Sequence, residues 1–168
     1  MRTIHINGTI GSAKKYKKQL DVLLNNSPTT DIRLHLNTPG GDYNTALVLY
    51  NAIKTHGNVT THLSGECYSA GSIIALASDQ IVVSPLTTMM IHNPKLSESY
   101  NEVCLFTLKQ EMIDEFNIWK NDASKIYEGF LTEEEFNDML YHGKTHYFNS
   151  DEIKLKLYGD YGDYRRED

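Results

Sequence analysis

Cysteine is scarce: Cys67 and Cys104 are the only two in 168 residues, too few for a disulfide framework. Cys67 is expected to pack as a small hydrophobe, with a nucleophilic role a distant second. No uninterrupted apolar stretch is long enough to span a bilayer, and Met1-Arg2-Thr3-Ile4 opens no signal peptide. Positive charge is short as well. The 16 Lys and Arg face 22 Asp and Glu, a net charge of −6 that argues against a nucleic-acid surface. The one basic cluster, Lys14, Lys15, Lys17 and Lys18, reads as the solvated face of a helix. No linker marks a second domain. What remains is a single domain over residues 1–168 with a cytoplasmic address, 40% hydrophobic and 23% charged, long enough for a sizeable core.

Arg2 to Ile10 alternates (Ile4, Ile6) into a first strand ending at Gly8, and Lys14 to Leu24 reads as a helix closed by Asn25-Asn26-Ser27-Pro28. Ile32, Leu34 and Leu36 alternate with Arg33 and His35, a strand with one buried face. After the Asn37-Thr38-Pro39-Gly40-Gly41 turn comes a helix with Ala46, Leu49, Tyr50 and Ile53 on one stripe, stopping at His56-Gly57. Val59, Thr61 and Leu63 make another strand, leading into Ser69 and a helix through Ile73, Ile74 and Ala77. Two short strands, Ile81-Val82-Val83 and Met89-Met90-Ile91, flank Pro85. Apolar residues from Leu105 to Ile126, Trp119 among them, then recur at three- and four-residue steps and predict a long helix. Thr132 with Glu135 is a capping-box start for the next. Tyr158-Gly159-Asp160-Tyr161-Gly162-Asp163-Tyr164 is a small repeat that reads as a mobile tail over about 158–168. The alternation implies an α/β fold, with stacked β-β-α units favoured over a doubly wound sheet.

The chemistry sits where strands end. Ser69 lies in Gly65-Glu66-Cys67-Tyr68-Ser69-Ala70-Gly71, where a strand meets a small-residue helix, and His92 lies in Met89-Met90-Ile91-His92-Asn93-Pro94. A helix N-terminus offers free N–H groups to a developing oxyanion. A hydroxyl there, an imidazole and a glycine turn are the parts of acyl transfer. Singly, each has a bland reading: a capping serine, a structural histidine, a strand-to-helix turn. Jointly, parallel strands would bring all three to one sheet edge. His142 and His146 have ligand-like spacing, but Gly143 interrupts the helix and no third ligand follows, so they read as two surface imidazoles rather than a metal site.

These residues resemble the proteolytic subunit of the Clp protease, a self-compartmentalising serine peptidase family. Asn37-Thr38-Pro39-Gly40-Gly41 is similar to its Asn-Ser-Pro-Gly-Gly turn, the Ser69 segment to its nucleophile segment, and Met90-Ile91-His92-Asn93-Pro94 to its Met-Ile-His-Gln-Pro. The resemblance implies a Clp protease/crotonase-like fold with a protruding handle helix over about 103–128. It implies Ser69 as nucleophile, His92 as general base, the N–H groups of Gly41 and Ala70 as oxyanion hole, and an extended polypeptide substrate pairing beside Gly40 and Gly41. No cofactor or metal is implied. The implied assembly is a homo-oligomeric ring, a heptamer or stacked heptamers.

The chain departs from the family in several places. Aligning Tyr147-Phe148-Asn149-Ser150-Asp151-Glu152 with the family's Phe-Leu-Ser-Ala-Pro-Glu puts Thr145 where the triad acid belongs, with Asp138 as an alternative acid. Lys95-Leu96-Ser97-Glu98-Ser99 replaces a glycine-rich stretch, and the amino-terminal axial loops are missing. Positions that line the unfoldase-docking pockets fall on Arg33, His35 and Thr55, which are poorly suited to an apolar loop. The expectation is a serine endopeptidase that acts on loosely folded chains, alone or with a dedicated partner, similar to the phage-type members that mature capsids. Its rival is a catalytically weak ring subunit. An acyl-CoA enzyme of crotonase type ranks last, since it explains neither Ser69 nor His92.

Overall fold

The computed structural model describes residues 1–94 and 105–159. In chain order they form β1 (Arg2–Asn7), a 3-10 turn (Ala13–Tyr16), α1 (Lys17–Asn25), β2 (Ile32–Thr38), α2 (Tyr43–His56), β3 (Val59–Tyr68), α3 (Ala70–Leu76), β4 (Gln80–Val83) and β5 (Thr88–Ile91). The second part comprises α4 (Leu105–Ile126), α5 (Glu133–His142), β6 (His146–Asn149) and α6 (Ser150–Tyr158).

Period-two alternation builds the sheet. Ile4 and Ile6 of β1, Ile32, Leu34 and Leu36 of β2, and Val59 and Leu63 of β3 are all buried, and they join Leu23, Leu49, Ile53 and Ile74 of α1–α3 in one core. Each such side chain contributes roughly 1.5–3 kcal/mol. β1, β2 and β3 pair in parallel, with the register His5↔His35↔His62 on the polar outer face. The His5 and His35 rings stack at a centroid distance of 5.0 Å, and the His62 ring lies tilted by 30° at 5.2 Å from His35.

The path of β3 is broken by an irregularity. Leu36 pairs with Leu63 but Thr38 with Cys67, so two residues of β2 face four of β3. The slack is taken up at Gly65 (φ 79°), where the Glu66 N–H donates to Asn37 Oδ1 at 3.0 Å. β4 pairs with β3 before this point and β5 after it, both in parallel, and β6 runs antiparallel to β5. The chain therefore leaves β2, β3 and β5 at the same, carboxyl edge of the sheet, where α/β proteins place their ligands.

The structure departs from the sequence reading in several details. β1 stops at Asn7, and Ile10 forms an isolated bridge to Gly41. The Lys14 helix begins as a 3-10 turn. Tyr158, assigned to the tail, is the last residue of α6: its hydroxyl donates to the Ile81 carbonyl and accepts the Ile81 N–H on the open edge of β4. His146 is no surface imidazole. It is buried in β6, bonded through Nε2 to the Glu135 carbonyl at 2.9 Å and stacked on Phe148. The Lys95–Ser99 stretch, Cys104 and residues 160–168 lie outside the described residues.

Candidate active site

Ser69 closes β3 and stands at the N-cap position of α3, with φ 52° and ψ −117°. A non-glycine residue in this region stores on the order of 1–3 kcal/mol of strain, which the strand-to-helix turn around it must hold in place. Its Oγ makes no capping hydrogen bond, which removes the bland reading. Instead Oγ meets His92 Nε2 at 2.8 Å, the reach needed for proton transfer. His92 follows β5, and the Ser69 N–H donates to the Met90 carbonyl at 2.7 Å, tying the two strand ends together.

Glycines allow the third strand end to close in. Gly40 (φ 97°) packs its α-carbon directly on the turn around Ser69, and Gly71 packs against Thr38, where a Cβ would come within 2.5 Å of the Thr38 methyl. The Gly40 N–H donates to Thr38 Oγ1 at 3.0 Å and its carbonyl accepts the Ile10 N–H at 2.8 Å. Gly40, expected to pair with substrate together with Gly41, thus has both backbone groups engaged within the chain. The Ile10 bridge occupies that side of the segment and leaves the N–H of Gly41 facing the other way. Among the described residues, neither the Gly41 N–H nor the Ala70 N–H donates to a protein group. Two free amides flank one hydroxyl.

A hydrogen-bonded chain anchors the turn from behind. Ser72 Oγ donates to the Ser69 carbonyl at 2.7 Å, so Tyr127 must donate in turn to Ser72 Oγ, at 3.0 Å. Burial pushes the Tyr127 phenol up to about 12, keeping it protonated for that role. Tyr43 donates to Asp122 Oδ2 at 3.1 Å, joining α2 to α4, and burial and then the Asp122 charge push its phenol well above the ordinary tyrosine range. Cys67 is fully buried beside this turn, and burial likewise pushes its thiol far up, so it is no competing nucleophile.

Ser69, His92, Gly41 and Ala70 line one cleft of about 600 Å³ whose remaining wall is largely aromatic and apolar: Tyr43, Ile73, Trp119 and Tyr147 among others. Trp119, one of the apolar residues whose spacing predicts the long helix, is buried at this wall. Thr145, just before β6, also lines the cleft. Asp138 does not; its carboxylate is paired with Lys144 Nζ at 2.8 Å, a hydrogen bond that holds it below the usual carboxylate range. Among the described residues no carboxylate lines the cleft. The sequence missed Tyr127 and Ser72, whose link spans 55 positions.

The sequence model of the Clp protease family matches residues 1–116. Proteolytic subunit 2 of the ATP-dependent Clp protease from Chlamydia trachomatis is 34% identical over 79 residues, 45% of this chain and 39% of that protein. Subunit 1 from Corynebacterium glutamicum is 30% identical over 95 residues, 55% of this chain and 46% of that protein. The match thus spans less than half the length of these curated relatives. Among solved structures, a point mutant of ClpP1 from Listeria monocytogenes superposes with a TM-score of 0.74 at 23% identity, covering 92% of this chain and 86% of that one. The fold is that of the Clp protease, as the motifs implied.

Proposed function

This chain belongs to the Clp protease family, and on that premise we propose that it is a serine endopeptidase of extended, loosely folded polypeptides. The observation that carries the reading is the 2.8 Å contact between Ser69 Oγ and His92 Nε2, flanked by the two unengaged N–H groups of Gly41 and Ala70. His92 takes the Ser69 proton as Oγ attacks the scissile carbonyl. The Gly41 and Ala70 amides hold the resulting oxyanion, where such donors lower the barrier by about 3–4 kcal/mol each. His92 then gives the proton to the leaving amine, and a water activated in the same way releases the acyl group. The substrate strand pairs along Gly41, on the side opposite Ile10, and sets an apolar side chain against Ile73 and Trp119.

The working form is a homo-oligomeric ring in the cytoplasm. The exposed Met112, Ile113 and Ile118 of α4 leave apolar side chains that a second copy would cover. Arg33 and His35 lie on the outer sheet face while Thr55 is on α2, so no continuous apolar pocket for a standard unfoldase loop is formed by these three. The enzyme acts without such an unfoldase or with a dedicated partner. Capsid maturation is one role that fits this independence.

A second reading, a ring subunit of little activity, is favoured by Thr145, which lines the cleft and stands where the resemblance puts the triad acid. Labelling with a fluorophosphonate separates the two: the peptidase is tagged at Ser69, and intact protein that stays unlabelled overturns the peptidase assignment.

A further inference from the structure

The two amides that flank Ser69 Oγ each share a peptide plane with a carbonyl, and both carbonyls are held from behind. The Gly40 carbonyl, joined to the Gly41 N–H, accepts the Ile10 N–H at 2.8 Å. The Ser69 carbonyl, joined to the Ala70 N–H, accepts twice: from the Ser72 N–H at 2.9 Å and from Ser72 Oγ at 2.7 Å. Both peptides are trans, so each N–H points opposite to its carbonyl. A donor on the carbonyl thus fixes the direction of the N–H across the plane, and Gly41 and Ala70 both line the cleft.

The two planes are not held alike. Behind Gly41 the donor is backbone, set by the Ile10 bridge, and no side-chain substitution deletes it. Behind Ala70 a side-chain relay adds to the backbone bond. Ser72 Oγ gives its only proton to the Ser69 carbonyl, so the Tyr127 proton must fill the 3.0 Å contact between the two hydroxyls. The relay runs one way, from Tyr127 through Ser72 to the Ser69 carbonyl. Ser72 and Tyr127 are both buried, and hydrogen bonds in series polarise one another where water is excluded. Each link draws electron density out of the Ser69–Ala70 amide and leaves its N–H more positive. Tyr127 follows directly on α4, its own N–H bonded to the Ala123 carbonyl at 2.9 Å.

We propose that Tyr127, acting through Ser72, is a positioning residue for the oxyanion hole: it holds and polarises the Ser69–Ala70 peptide, so that the Ala70 N–H meets the developing oxyanion already oriented. The inference rests on reading Ser69 as the nucleophile. Donors set in place before the reaction are the ones that stabilise its transition state most.

Tyr127→Phe, which removes one oxygen and keeps the ring, tests this beside Ser72→Ala. On a fluorogenic peptide Tyr127→Phe is expected to lower kcat about fivefold with KM and the pH profile unchanged, and Ser72→Ala to lower it further. The double variant should be no slower than Ser72→Ala alone, because the phenol has no other route to the amide. Independently of turnover, the Ala70 N–H proton resonance of 15N-alanine-labelled protein should move upfield in both single variants. Asp122→Ala, which cuts the 3.1 Å tie between α4 and Tyr43, should leave that resonance in place. An unmoved Ala70 resonance or an unchanged kcat in Tyr127→Phe overturns the proposal. Losses that add in the double variant overturn it as well, and so does movement in Asp122→Ala, which would mean a general loosening of α4. If the parent protein hydrolyses no peptide, the peptidase reading falls and the Ala70 resonance still decides the relay.

Discussion

A Cβ on Gly40 would lie 2.8 Å from the Cβ of Ser69 and 2.8 Å from the Tyr68 carbonyl oxygen. The turn after β2 is thus a mould for the serine at the end of β3. Gly40→Ala must push the two strand ends apart and also carries the strain of φ 97°. We expect it to lower kcat/KM on a fluorogenic peptide by at least tenfold and stability by roughly 1–3 kcal/mol. Unchanged turnover would show that the two strand ends are not coupled.

Replacing Ser69, the proposed nucleophile, separates chemistry from backbone strain. Ser69→Ala and Ser69→Gly should both lose peptide hydrolysis by several orders of magnitude. Only the glycine variant is relieved at φ 52°. Urea unfolding should therefore find Ser69→Gly more stable than Ser69→Ala by about 1 kcal/mol. The opposite order would mean the turn is not strained.

His92→Ala should be comparably inactive, since serine is a poor nucleophile without proton removal. In the unmodified protein kcat/KM should rise from pH 5 to 8 as the imidazole loses its proton, because only the neutral ring can act as base. A flat profile over that span counts against His92 as the base.

At the third position, Thr145 brings a hydroxyl to a cleft without a carboxylate among the described residues. A hydroxyl cannot offset an imidazolium with negative charge. Thr145→Asp is expected to raise kcat/KM, and Thr145→Val to lower it by about one hydrogen bond, on the order of 1 kcal/mol. No change in either variant removes Thr145 from the mechanism.

Asp42 caps α2, accepting the Thr45 N–H at 2.7 Å, and hydrogen bonds from the Thr45 hydroxyl and N–H hold its carboxyl below the usual range. A depressed folded-state value means that the cap's stability is present above the unfolded carboxyl value and lost as pH falls through the folded one. Asp42→Ala should cost about 1 kcal/mol at pH 7 in urea unfolding. The difference from the parent protein should narrow as pH falls through the lowered value of the folded-state carboxyl. A gap that persists in acid would assign the loss to packing.

The sheet and the three strand ends that meet at the cleft are readable because alternation, glycine turns and a small-residue helix are local signals. Ser69, His92 and Gly41 each announce themselves within a few residues. β6 and α6 escape the sequence: a four-residue strand offers two buried positions, His146 and Phe148, and Asn149 serves both as its end and as the cap of the next helix. The Ser72–Tyr127 link and the histidine ladder are illegible for another reason. Their members lie 27 to 55 positions apart, and only strand register and the return of the α4 segment to the sheet bring them together. Gly40 reads as a substrate contact until the Ile10 bridge fills its edge, a pairing that rests on a single residue outside any strand.

β4 is four residues long and sits at a margin of the sheet, where unpaired amides and carbonyls would template a strand from another molecule. The Tyr158 hydroxyl takes both such groups of Ile81. Solubility of this protein therefore hangs partly on one phenol at the end of its last helix. If that turn frays, the β4 margin opens while the cleft, on the far side of the β3 irregularity, still stands. Damage at the end of α6 should surface first as insoluble, edge-to-edge aggregate, in molecules whose Ser69 and His92 are still in place.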